Sequence, residues 1–183
     1  MELHYGKPEH MEGRQEREIR TYEYLDSLGI EYWQTDHDNM AANTMEDCKE
    51  VDAILDATIC KNLFLCNRQK TNFYVLMMPG DKPFKTKEIS GQIQSARLSF
   101  APEEKMLEYL DILPGAVSVL GLMNDHDNNI QLLVDEDVLE GEFLGCHPCV
   151  NTSSMKIRTK DVFEKFLPSV HHDFRVVHLT GEA

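Results

Sequence analysis

Cys60-Lys61-Asn62-Leu63-Phe64-Leu65 places a lysine and an asparagine inside a run whose other residues are those of a buried β-strand. Alternation sends neighbours to opposite faces, so Lys61 shares a face with Leu63 and Leu65 while Asn62 joins Cys60 and Phe64. A buried ammonium or amide without a partner costs stability, so both need a reason to be there. Either the strand ends here, with the lysine stem on apolar surface and its ammonium in water, or both side chains serve a binding site.

The pattern around this run predicts α+β architecture. Ile19, Tyr22, Leu25 and Leu28 recur every three residues ahead of Gly29, a helix over 12–28 with a C-terminal glycine. Residues 31–37 alternate as a strand. Thr44 is a good N-cap for a helix that carries Met45, Cys48, Val51 and Leu55 on one side. Strands over 59–66 and 72–78 flank a short polar link, a hairpin, and Pro79-Gly80 stops the second. Short helices are expected over 86–94 and 102–110, and strands over 117–120, 130–135 and 155–158. A capped helix over 159–167 follows. Helices and strands mix without strict alternation, which predicts a single α+β domain on a mixed, largely antiparallel sheet flanked by helices. Residues 174–179 are left as an edge strand or a mobile tail.

A chain of 183 residues with 42% hydrophobic content suits one core. It has no apolar run of the roughly 20 residues that cross a bilayer and no secretory pattern at Met1-Glu2-Leu3-His4. No membrane and a cytoplasmic location are expected. Five scattered cysteines, Cys48, Cys60, Cys66, Cys146 and Cys149, read as reduced thiols. The net charge of −14 argues against general nucleic-acid binding, but residues 61–105 hold eight Lys or Arg against four acids, leaving ten against 28 elsewhere. One basic face on an acidic body permits a weak, transient polyanion contact; an unevenly charged solvated surface is the plainer reading.

Lys61-Asn62-Leu63-Phe64-Leu65-Cys66-Asn67-Arg68 and Tyr74 through Lys82 are followed by Arg97-Leu98-Ser99-Phe100-Ala101, Pro114-Gly115-Ala116-Val117-Ser118, Gly121 through Asp125, His147-Pro148 and Val150-Asn151-Thr152. In this order they resemble the YbaK-like editing family and the insertion domain of bacterial prolyl-tRNA synthetase. The nearest group is the stand-alone alanyl-tRNA(Pro) deacylases (PrdX or ProXp-ala). The resemblance spans about residues 20–167, leaving 1–19 as an extension and start of the first helix and 168–183 as a tail. It implies a metal-independent hydrolase, without cofactor, that removes alanine from mischarged tRNA(Pro). Its partner would be the tRNA(Pro) acceptor end carrying a small amino acid, and it allows transient association with prolyl-tRNA synthetase. Such a site answers a physical problem: a pocket that holds proline rejects alanine by only about 1 to 3 kcal/mol, so a second site must remove the smaller product.

The resemblance also assigns residues. Lys61 is the signature cation, meeting a phosphate or other polar atom of the tRNA 3′ end, and Asn62 is the adjacent binding position, though alternation can place it on the other face in support of the fold. Gly115, Ala116, Val117 and Ser118 form the glycine loop, whose backbone N–H groups can stabilise an oxyanion. The family's loop ends in proline, where this chain has Val119. His147 would bind substrate or water, with a general-base role open beside reliance on the ribose hydroxyl, or serve only as a turn residue. Thr44 falls near a pocket position, and capping also explains it.

Two alternatives remain: a catalytically silent member of the fold that binds tRNA or a synthetase, and a thiol redox protein using Cys146-His147-Pro148-Cys149. Val150-Asn151-Thr152-Ser153-Ser154 is a poor start for the helix that a redox motif needs. One C-x-x-C supplies only half of a zinc site.

Overall fold

The described residues, which in this computed structural model are 2–37 and 45–181, form nine strands. They are β1 (His4–Tyr5), β2 (Tyr32–Asp36), β3 (Thr58–Cys66), β4 (Phe73–Pro79), β5 (Ser99–Phe100), β6 (Ile130–Asp135), β7 (Phe143–Cys146), β8 (Ser153–Arg158) and β9 (Phe174–Val177). They form one mixed sheet in the order β1-β2-β8-β7-β3-β4-β6-β9, with β5 on the far end of β3. The β3–β7, β4–β6 and β6–β9 pairs are parallel and the other five antiparallel. This is the expected α+β class.

The β3–β4 register places Lys61 opposite Met78 and Asn62 opposite Met77. Met78 packs with Leu65, Leu76 and Ile89, whereas Met77 belongs to the larger cluster with Cys60, Phe64 and Val75. Lys61 and Asn62 therefore sit on opposite faces of the sheet, as alternation requires. Asn67 closes the hairpin, its Oδ1 accepting from the N–H groups of Thr71 and Asn72 at 2.8 and 3.0 Å. Pro79 remains in β4, and the strand ends at Gly80, whose N–H donates to the Ile59 carbonyl at 2.9 Å.

Helices cover both faces. In α1 (Glu16–Ser27) the buried side chains are Glu18, Thr21, Tyr22 and Leu25, one turn apart along a single stripe. Gly29, at φ +69°, reverses the chain so that Ile30 N–H reaches the Leu25 carbonyl at 3.1 Å. The expected start at residue 12 is four residues early. α2 (Met45–Leu55) buries Val51 and Leu55; its expected cap, Thr44, lies outside the described residues. α3 (Thr86–Gln92) covers the smaller cluster through Ile89, and α4 (Glu103–Leu110) covers the larger one through Met106 and Leu110. α5 (Glu136–Glu140) is capped by Asp135. Among the described residues no helix is long and apolar enough to cross a membrane.

Two expectations are corrected. Residues 117–120 are not a strand: Ser118 Oγ accepts from Leu120 N–H at 3.2 Å and opens a 3-10 helix, Val119–Asn124. A short side-chain bond to the local backbone wins over β-branched propensity there. The last helix has no side-chain cap, and it extends past 167: α6 (Thr159–Asp161) passes through a π turn, Val162–Phe166, into α7 (Leu167–Ser169), which contains Pro168. Of the two readings of residues 174–179, an edge strand or a mobile tail, the structure has the edge strand. β9 adds a parallel edge, Leu179 is fully buried, and buried His172 bonds Asp125 at 3.0 Å.

Candidate active site

A cavity of about 460 Å³ opens beside β3, where the loop before the 3-10 helix meets the start of α4 and the end of β7. Cys60, Phe64, Met106 and Val117 supply apolar wall, and Asn62, Gly115 and His147 bring polar groups to it. A site of this size, apolar with a few convergent polar groups, is built for a small organic moiety.

Asn62 enters from the large-cluster face of β3. Among the described residues its buried Oδ1 has no hydrogen-bond partner, and its Nδ2 makes only a long 3.5 Å bond to the Cys60 carbonyl. A buried acceptor of this kind costs stability unless something donates to it. Lys61 reaches the cavity rim from the other face. Its Nζ donates to the Lys82 carbonyl at 2.6 Å, which uses one of the ammonium's three donors.

In the glycine loop, Gly115 adopts φ +90°, a conformation that penalises a side chain. Ala116 N–H turns back to the Leu113 carbonyl at 3.2 Å. The N–H groups of Gly115 and Val117 make no hydrogen bond among the described residues. Both residues line the cavity, while Ala116 and Ser118 are buried away from it, Ser118 as the helix cap. Val119, at the family's proline position, is wholly buried as the first residue of the 3-10 helix.

His147 follows β7, which approaches β3 closely because Gly145 pairs with Ile59: a Cβ there would overlap Ile59 Cδ1. His147 Nδ1 lies 2.9 Å from the Ser153 carbonyl. A carbonyl only accepts, so Nδ1 carries the hydrogen and, in the neutral ring, Nε2 keeps its lone pair. Burial lowers the imidazole pKa below 6.5; the Ser153 carbonyl opposes this, and His37 reinforces it. Ser153 Oγ in turn donates to Asp36, which Arg14 clasps through two bonds of 3.0 and 2.7 Å. Arg14 also reaches buried Glu18 at 2.6 Å.

The structure thus brings Lys61, Asn62, Gly115, Val117 and His147 to one cavity and leaves Ala116 and Ser118 behind its wall. Thr44 lies outside the described residues. Sequence reasoning gave no role to Phe100, Glu103 or Met106, which also line it. Phe100 lay in a recognised motif, but its part in the wall depends on β5 pairing with β3. Arg14 and Asp36 gave no local signal.

The Cys146–Cys149 motif is not a reactive pair. Both thiols are buried, burial pushes Cys146 well above its usual range and Cys149 to about 11, and Cys149 sits in a turn at φ +64° rather than opening a helix. Of the basic residues in 61–105, Lys82 pairs with Asp135 and Asp137, and Lys105 with Glu108. Arg68, Lys70, Lys87 and Arg97 are exposed and make no salt bridge among the described residues.

The family model described as the aminoacyl-tRNA editing domain matches residues 40–165. The chain belongs to that family. The editing domain is by class a hydrolase, an aminoacyl-tRNA deacylase. Prolyl-tRNA editing protein ProX of Acetoanaerobium sticklandii is 28% identical over 155 residues, covering 85% of this chain and 93% of its own. Prolyl-tRNA synthetase associated domain-containing protein 1 of Mus musculus is 32% identical over 117 residues, covering 62% of this chain and 68% of its own. A crystal structure described as a candidate trans-editing enzyme for prolyl tRNA synthetase superposes with a TM-score of 0.66 at 13% identity, covering 90% of this chain and 98% of its own. At that identity it bears on the fold alone. Arg14, Asp36 and the segment from His172 to Leu179 all lie outside the matched span of the editing domain.

Proposed function

We propose that this editing domain hydrolyses the ester of alanine on tRNA(Pro), acting in trans to prolyl-tRNA synthetase. The observation that carries the reading is the convergence of Asn62, Gly115, Val117 and His147 on one cavity, where, among the described residues, Asn62 Oδ1 has no donor and the Gly115 and Val117 N–H groups have no acceptor. A cavity filled by side chains would instead suit a silent binding module.

An α-ammonium on the aminoacyl group supplies the donor that Asn62 lacks. The alanyl methyl lies against the apolar wall of Cys60, Phe64, Met106 and Val117. Water attacks the ester carbonyl carbon, and its proton passes to the lone pair of neutral His147 Nε2. The charge that develops on the carbonyl oxygen is taken up by the Gly115 and Val117 N–H groups. Collapse breaks the bond to the ribose oxygen, which takes the proton back from the imidazolium, releasing alanine and the free 3′ end. Lys61 uses its two remaining donors on a phosphate of the acceptor strand. The exposed Arg68, Lys70, Lys87 and Arg97 steer the polyanion, so binding weakens as salt rises.

The test is hydrolysis of Ala-, Ser-, Cys- and Pro-tRNA(Pro) by the purified protein and its Lys61→Ala and Asn62→Ala variants, with chelator and reductant present. Rapid loss of the alanyl ester, at least tenfold slower in the variants, supports the reading. Survival of every ester as long as in buffer rejects it and leaves the binding module.

A further inference from the structure

Phe100 is 66% exposed, yet it lines the same cavity as Asn62, Gly115 and His147. Scattered exposed apolar side chains are ordinary on a protein surface. Phe100 differs in place and in support. Its backbone is pinned in β5, where it pairs with Leu65, and the next N–H, from Ala101, donates to the Phe64 carbonyl at 3.0 Å. The ring meets Phe84 at a centroid distance of 5.9 Å and an interplanar angle of 59°, so it is braced on one side and open on the other. Such a ring is ordered before any ligand arrives, which lowers the entropy cost of using it.

A ligand that complements it is flat and aromatic, and is joined to a group small enough to enter the cavity. Lys61 at the rim favours a phosphate nearby. The terminal nucleoside of an RNA 3′ end has this form: a base, one ribose, and an ester on that ribose. Resting on the deacylase reading above, we infer that Phe100 is the stacking platform for the terminal adenine of the aminoacylated strand, holding the base outside while the ester lies inside. Glu103, exposed in the first turn of α4 and also on the cavity, is placed to accept from the adenine amino group. Stacking of this kind tolerates any base, because every base has a π face.

The experiment compares wild type with Phe100→Ala, Phe100→Leu and Phe100→Trp on two ligands. One is an acceptor-stem RNA with alanine joined through a non-hydrolysable 3′ amide; the other is the same RNA with the terminal base removed. Phe100→Leu keeps apolar contact with Phe84 but loses the π face. Binding of the intact ligand is expected to weaken roughly 5- to 100-fold in the alanine and leucine variants and to survive in the tryptophan variant. The abasic ligand is expected to bind equally to all four proteins. With hydrolysable Ala-tRNA(Pro), the loss falls on KM rather than kcat, since a base contact remote from the ester is uniform binding. Circular dichroism confirms that the variants fold.

Leucine behaving as phenylalanine, or equal losses on the abasic ligand, overturns the stacking platform while leaving deacylation intact. Absence of both binding and hydrolysis in wild type overturns the deacylase reading together with it.

Discussion

His147 donates from Nδ1 to the Ser153 carbonyl at 2.9 Å, and this one bond fixes which ring nitrogen can act as a base. Ser153 is itself held by Asp36 and, through it, Arg14. The ring is thus oriented by Asp36 in β2 and Arg14 just before α1, far from it in sequence, much as outer-shell partners orient histidine at metal sites.

Burial, reinforced by His37, holds the His147 pKa below 6.5 against the opposing Ser153 bond. The folded value is depressed, so the neutral base persists at and below pH 6.5, and its stability contribution is present above the unfolded value and lost as pH falls through the folded one. Deacylation rates are expected to stay flat from pH 8 through 6.5 and to fall only at lower pH. A pH–rate profile checks this; in His147→Gln the acid limb attributable to the imidazole disappears and the rate is low throughout.

Asn62→Ala removes a buried acceptor that has no partner among the described residues. Its loss should leave stability within about 1 kcal/mol of wild type or raise it, because an unsatisfied group is removed with its penalty. Activity is expected to fall about 10- to 150-fold, the worth of a hydrogen bond to a charged group. Urea denaturation alongside deacylation kinetics separates the two effects. A large stability loss would mean that Asn62 supports the fold and not the substrate.

Gly115→Ala places a side chain at φ +90° and 3.5 Å from Asn151 Nδ2. The strain is of order 1 to 3 kcal/mol, relieved by rotating the loop and its N–H groups. The expected result is a drop in kcat of about 100-fold, the typical cost of one lost oxyanion donor, with a much smaller change in KM. Steady-state kinetics on Ala-tRNA(Pro) decides.

Asp125 ties the tail to the loop before β6. It accepts from Asn129 N–H at 3.0 Å, Ile130 N–H at 2.9 Å and buried His172 at 3.0 Å. Burial pushes its carboxyl up, but His172 and the two backbone N–H groups more than offset this, leaving it below 3.8. Its stabilising contribution is therefore complete above the unfolded value and is lost as pH falls below about 4. Asp125→Ala should cost about 1 to 3 kcal/mol or more, because it leaves the buried Ile130 N–H and His172 ring without their acceptor. Its stability is expected to be less sensitive to acid than wild type, measured by denaturant titration at pH 7 and pH 3.

Local chemistry written in the chain decided much of this protein. Alternation through 59–66 separates Lys61 from Asn62, Gly29 ends α1, and Asn67 closes the hairpin; each depends on residues within a few positions and is legible there. Short elements such as β5 and β7 were not, because they are too brief to show a period and exist only where a partner strand completes their hydrogen bonds. The loop at 114–118 contains the right residues in sequence, but only folding turns Gly115 and Val117 to the cavity and Ala116 and Ser118 away. The tail likewise resembled nothing, and β6 recruits it as a parallel strand. Sequence determined which groups were available and their local conformations; tertiary structure decided which of them share a cavity, since that depends on contacts between residues far apart in the chain.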